Sequence, residues 1–573
     1  MLLGVGAVLL IALAIGGWQA RQASDALSRA RDEASVLKQQ LIDGDVDAAR
    51  VTLERLDRDT TAARESTNGP LWWVGGQVPV LGRNVDALHV AAEEIDRITD
   101  DALPGIVDVA DAVRLETFRP RKGRMNLAAV AKAAPALARA DTVFTRAHQR
   151  VGAFDADGLI GPLKRSMVEL QGLVSTSASA ASAADDAARL LPGMLGADGK
   201  RRTYLLMVNN NAEVRSIGGM PGSIAVIAAR NGRIRMGDQE TSRKVTYEKP
   251  VGRLSKDERS VFPTSVATDM RDTGIVPDFP RAAQLASALA GKKLDQTFDG
   301  VIGVDPVALA QILAGVGRVE LADDTVLTGT NAVATLLNGI YLKYPLDAQK
   351  QDDVFESAAR RIFDATVSGR GNSQKVVQGL VRAVQGGHLK VWSRHPAEQK
   401  RLLDSGIADS VERAPRARPQ VGVYVNDSGS TKMGYYLSMS TTVRTTQCRD
   451  GIQDLQVVTR LTSNAPANVA RLGPSVVGLG KLAPPGSIDL VVRTVAPSKG
   501  SVRTITIDGT PAPVSGGRLG DRQVSSVPVR IPPNQSVLVV TKMQSGPDQD
   551  GLPLLDATPG IVPNGDVAEG GCG

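Results

Sequence analysis

Apolar residues recur at helical spacing over the first third of this chain and at strand spacing over the last. A chain whose period changes in this way cannot close around one kind of core. From Gln19 to about residue 195 the pattern is helical throughout. It is broken at Asp43-Gly44-Asp45 and again at Pro70–Arg83 (PLWWVGGQVPVLGR), and helices are predicted near 85–113, 127–153 and 159–191. Residues 20–195 therefore read as an all-α stalk. The paired Trp72 and Trp73 plug the base of the bundle or sit at a bilayer surface, and the first reading is preferred.

Beyond residue 196 the chain changes character. Tyr204–Val208 and Ser223–Ala229 read as buried strands, and Asn231-Gly232 is a two-residue hairpin signal into Arg233–Met236. Strand Phe298–Val304, helix Pro306–Ala314, strand Arg318–Leu321 and helices at 329–342 and 349–367 then predict a layered α/β domain over 196–400. After a linker at 401–419, which contains Arg416-Ala417-Arg418-Pro419, six β-rich runs punctuated by Gly and Pro predict a β-sandwich over 420–545. A Gly/Pro-rich tail, 546–573, completes a multidomain α+β chain of 573 residues.

Leu2–Trp18 carries no charge, is about the minimum length that crosses a bilayer, and lacks a convincing cleavage site. It reads as an uncleaved membrane anchor with the bulk of the chain outside the cytoplasm. The basic residues near it (Arg21, Arg29, Arg31) follow rather than precede it, so either the start lies further upstream or the topology is reversed, and the first reading is preferred. The net charge of +6 comes from 67 basic and 61 acidic residues that are interspersed, so no nucleic-acid tract is present. Cys448 and Cys572 match no metal-ligand spacing. In an exported chain they suggest a disulfide, the alternative being two free thiols.

Four scattered histidines form no zinc or triad motif, and no Walker loop or dinucleotide fingerprint occurs. The densest polar stretch is 209–222, with Asn209, Asn210, Asn211, Glu213 and Arg215 followed by Gly218, Gly219 and Gly222. Glycines permit close backbone approach, and Arg215 has the fork to clamp a phosphate or carboxylate. The same residues also suit a loop wired for its own rigidity. Asp269, Arg271, Asp272 and Asp278 supply a second arginine and three carboxylates for a divalent metal. Asn338, Tyr341, Lys343, Tyr344, Asp347, Gln349 and Gln351 form a third polar cluster.

NNNAEVRSIGGMPGS, DGVIGVDPVAL and VYVNDSGSTKMGYYL, behind the PLWWVGGQVPVLGR break, resemble over nearly the whole chain the bacterial envelope family catalogued as domain of unknown function 4012. Residues 204–370 are more distantly similar to the LytR-CpsA-Psr phosphotransferases. That resemblance implies Mg²⁺ and lipid-linked glycopolymer as cofactor and substrate. The chain departs from that family where Ile217-Gly218-Gly219 follows Arg215-Ser216, and where Lys343, Gln349 and Gln351 replace an arginine-rich motif. Two functions are expected from this: an envelope protein that binds or transfers a polyprenyl-linked glycan, or a non-catalytic scaffold for envelope proteins.

Overall fold

The computed structural model describes residues 22, 25–41, 45–68, 72, 81–112, 120, 122–411 and 417–572. The apolar stretch Leu2–Trp18, the Gly44 break, most of the Pro70–Arg83 segment and Arg416 lie outside the described residues. Among the described residues no helix is long and apolar enough to cross a membrane. The chain is a mixed α+β, multidomain protein that divides into two compact units, one running to Asp198 without residues 120–124, and the other formed by 120–124 with 199–573.

The first unit is all helical, as the periodicity predicts. After a helix over 25–41 come α1 (Val46–Ser66), α2 (Leu81–Arg97), a π-turn at Ile98–Ala102, α3 (Leu103–Ala112), α4 (Leu127–Gly152) and α5 (Gly161–Met194). Asp45 and Asn126 cap α1 and α4 by accepting backbone N–H groups of Ala48 and Ala129. Ala133, Ala140 and Ala147 recur every second turn of α4 and are essentially fully buried, so that a neighbouring backbone can approach closely. Glu94 is 1% exposed and is matched by Arg97 at 3.1 Å and Arg150 at 2.9 Å, while Asp96 is held by Arg64 at 2.6 Å. Removing one partner would strand a buried charge.

In the second unit five strands, β1 (Arg202–Asn210), β2 (Met220–Arg230), β3 (Arg233–Thr241), β4 (Gly300–Val304) and β5 (Leu389–Ser393), form a sheet in the order β3-β2-β1-β4-β5. Only β1 and β4 run parallel. Asn231 and Gly232 both adopt positive φ (49° and 75°), the geometry of the predicted two-residue hairpin. On one face Leu205, Met207, Ile224 and Val226 pack against Phe279, Ala282, Ala286 and Leu289 of α6 (Phe279–Leu294). Strand side chains alternate, so the other face of the sheet is free to carry α7 (Pro306–Val316), α8 (Ala348–Val367) and α9 (Ser373–Gln385).

Three expectations are corrected here. Arg318–Leu321 does not join the sheet: Val319–Glu320 makes a two-residue ribbon with Val326–Leu327. The helix at 329–342 is broken by a π-turn at Thr335–Gly339. Asp278, taken for a metal ligand, caps α6 by accepting from Arg281 N, with Pro280 in the first turn.

The sheet also constrains Gly300. A Cβ there would lie 2.3 Å from the Trp392 carbonyl and 3.0 Å from the Tyr204 ring. Gly300→Ala is expected to cost about 1–3 kcal/mol, read as a lowered unfolding midpoint.

The remainder of the second unit is a β-sandwich. One sheet is ordered 510–511, 501–507, 536–544, 452–463, 437–449, 567–569, and the other 515–519, 522–531, 488–495, 420–427, 554–557. All six predicted strands are present. Arg522–Ile531 was not predicted; Pro528 within it pairs with Val491. The tail is built into both sheets, since Leu554–Ala557 runs parallel to Gln420–Asp427 and Val567–Glu569 parallel to Leu437–Arg449. Cys572 is disulfide-bonded to Cys448.

Candidate functional site

β1 carries Asn210 at its C-terminal end, where the register shifts between Val208 and Asn209 and the loop to β2 begins. The loop turns tightly because Gly219 lies against the Asn210 backbone, where a Cβ would come within 2.5 Å of the Asn210 carbonyl carbon. Beside this end of the sheet is a cavity of about 160 Å³. Val208, Asn210 and Glu213 form one wall, Thr241 and Arg243 another, and Ala348, Gln351, Asp352 and Phe355 of the first turns of α8 a third. Arg271, Tyr341 and Lys432 also line it, as do Met220, Gly222 and Ser223 of β2.

Three cations from three separate segments meet here. Arg243 pairs with Asp352, Arg271 holds Asp269 through two nitrogens (3.0 and 2.6 Å), and Lys432 pairs with Glu213 while lying 5.3 Å from the Tyr341 ring centroid. Asn210 donates to the Tyr341 hydroxyl at 2.7 Å and accepts from Ala212 N, which fixes the ring. Burial raises the Tyr341 phenol above its ordinary range, so it stays protonated. Burial pushes Lys432 down to about 8. The Thr241 hydroxyl oxygen, on a residue 6% exposed, has no hydrogen-bond partner among the described residues. Cations, hydroxyls and amides on apolar walls suit an anion with an apolar attachment.

Of the residues singled out in the sequence, Asn210, Glu213, Gly222, Arg271, Tyr341 and Gln351 line this cavity. Asn209 is buried outside the lining. Asn211 donates to Asp305 at 2.8 Å, and His388 meets the same carboxylate oxygen at 2.7 Å, a buried triad that sequence spacing did not reveal. Asn338 accepts from Tyr436, and Lys343 is spent on Asp323 and Thr325.

Arg215 also points elsewhere. It donates to the Asp427 carbonyl at 3.0 Å and pairs with Asp272 at 3.5 Å, tying the loop to the first sandwich strand. Arg243 and Lys432 were missed. Lys432 lies within VYVNDSGSTKMGYYL, where a lysine follows a buried threonine, and that was its only signal. Arg243 had none.

The magnesium implied by family resemblance does not fit the predicted carboxylates. Both oxygens of Asp269 are taken by Arg271, Asp272 faces Arg215, and Asp278 caps α6 and accepts from Ser410. Among the described residues no group of three His, Cys, Asp or Glu is arranged to hold a metal.

Burial raises Asp427, behind Arg215, to about 6 from 3.8. The folded chain then holds a proton that the unfolded chain has released, so this group's contribution to stability falls as pH rises from about 4 to 6. Asp427→Asn is expected to flatten that fall, measured as unfolding midpoints across the interval.

A family model described as a protein of unknown function (DUF4012) matches residues 198–341, from just before β1 to Tyr341, and not nearly the whole chain. No curated protein matches. Among solved structures, the transcriptional regulator yvhJ from Bacillus subtilis is similar at 12% identity and a TM-score of 0.21, over 38% of this chain and 80% of that one. TagV from B. subtilis is similar at 14% identity and a TM-score of 0.23, over 37% and 81%.

Proposed function

We propose that the cavity at the end of β1 binds the phosphate or diphosphate of a lipid-linked glycan, in a protein anchored by Leu2–Trp18 and lying outside the cytoplasm. The observation that carries this reading is the meeting of Arg243, Arg271 and Lys432 beside the aromatic walls Tyr341 and Phe355. Each cation is held by a carboxylate, Asp352, Asp269 or Glu213. An entering phosphate takes the place of these carboxylates, gaining bidentate bonds from the two arginines. Thr241 adds an uncharged donor beside Arg243.

The test is retention of polyprenyl phosphate and diphosphate by the full chain in detergent, read by mass spectrometry. Arg271→Ala, which removes one charge-assisted donor pair, is expected to weaken retention by about tenfold or more. Equal retention by wild type and variant overturns the reading.

The second reading, a non-catalytic scaffold, is favoured by one observation: all three cations are already neutralised. Under it, no phosphate ligand is retained by either protein.

A further inference from the structure

Two short segments beside the cavity carry large apolar side chains into solvent. Leu342 and Leu346 are 44% and 64% exposed, and Leu479 and Leu482 are 63% and 66% exposed. The segments are joined. Leu346 N donates to Ser475 Oγ at 2.6 Å, Gln351 Nε2 reaches the same oxygen at 3.5 Å, and the loop carrying Leu479 and Leu482 follows directly from the short helix Pro474–Val477. Lys432 of the cavity is bound to the same helix, its N–H donating to the Val476 carbonyl at 2.9 Å.

The leucines are held outward by backbone geometry. Leu346 sits at φ 60°, a conformation a leucine rarely adopts. Gly478, Gly480 and Gly486, all at positive φ, frame Leu479 and Leu482, and Pro484-Pro485 stiffen the return. A cation stands next to a leucine in both segments: Lys343 follows Leu342, and Lys481 precedes Leu482. All four of these residues are exposed, and neither segment exposes an aromatic ring or methionine.

From this we infer that the edge formed by Leu342, Leu346, Leu479 and Leu482 docks on an anionic lipid bilayer, the leucines entering the acyl boundary and Lys481 meeting headgroup phosphates, while Lys343 stays on Asp323 at 2.8 Å. Exposed aliphatic tips alternating with lysine match the chemistry of a lipid–water interface. Protein partners are met instead by patches rich in aromatics and arginine. The inference rests on the edge alone and does not depend on what the cavity binds.

The test uses the full chain and asks where it touches lipid, because Leu2–Trp18 by itself would hold every variant on vesicles. Both native cysteines are paired, so Leu482→Cys and Thr510→Cys each present one thiol for bimane labelling, the latter on an edge strand of the other sandwich sheet. With phosphatidylglycerol vesicles containing brominated acyl chains, bimane at 482 is expected to shift to the blue and be quenched, and bimane at 510 is not. Adding Leu346→Asp and Leu479→Asp to the 482 protein should abolish the quenching, with circular dichroism unchanged. No quenching at 482, or equal quenching at 482 and 510, overturns the inference. Polyprenyl phosphate retention by the same variants reports the cavity separately.

Discussion

Lys432→Met is expected to destabilise the second unit by about 3 kcal/mol, while Lys432→Met combined with Glu213→Leu returns to within about 1 kcal/mol of wild type. Glu213 is 8% exposed and its partner is Lys432, so deleting the lysine leaves a buried carboxylate without a counter-charge. The low end of the range for broken buried pairs applies because a fifth of the Lys432 side chain still meets solvent. Removing both charges removes both desolvation costs. Urea unfolding of the single and double variants measures the coupling directly. Additive losses would show that Glu213 and Lys432 do not act as a pair. Both variants should lose polyprenyl phosphate retention, because the cation is absent from each.

The second large effect is expected at the tail. Cys448 and Cys572 are 124 residues apart in sequence, and closing a loop of that size restricts the unfolded chain by about 4–5 kcal/mol on the loop-entropy account. Cys448→Ser with Cys572→Ser should lower the unfolding midpoint accordingly. Leu554–Ala557 and Val567–Glu569 keep their backbone pairing in that variant, so the loss appears first as faster hydrogen exchange over 554–569. An unchanged midpoint with protected tail amides would mean that the two strands hold the tail without the bond.

Much of the fold was legible because it depends on local periodicity. The helices of the first unit were placed to within a few residues, since Ala133, Ala140 and Ala147 repeat on one helix face whatever they pack against. The hairpin at Asn231-Gly232 was legible for a similar reason: two positive φ angles in succession demand those residue types.

Elements whose local signals conflict were lost. Pro528 obscured a sandwich strand, and α6 was not predicted at all, although Asp278 and Pro280 form a good helix start. The site suffered more. Arg215 looked like the ligand clamp because it stands among glycines and amides, yet its two terminal nitrogens are turned to the Asp427 carbonyl and to Asp272.

The sequence by itself therefore determined the helical first third, the sandwich and the outline of the layered domain, and it left the two cysteines as either a pair or two free thiols. The three folded parts follow from period and turn chemistry. Only the tertiary structure decided which charges meet. Arg243, Arg271 and Lys432 are separated by up to 189 positions, and a cation's use depends on which carboxylate or cavity lies within a few ångströms, because charges interact through space and not along the chain.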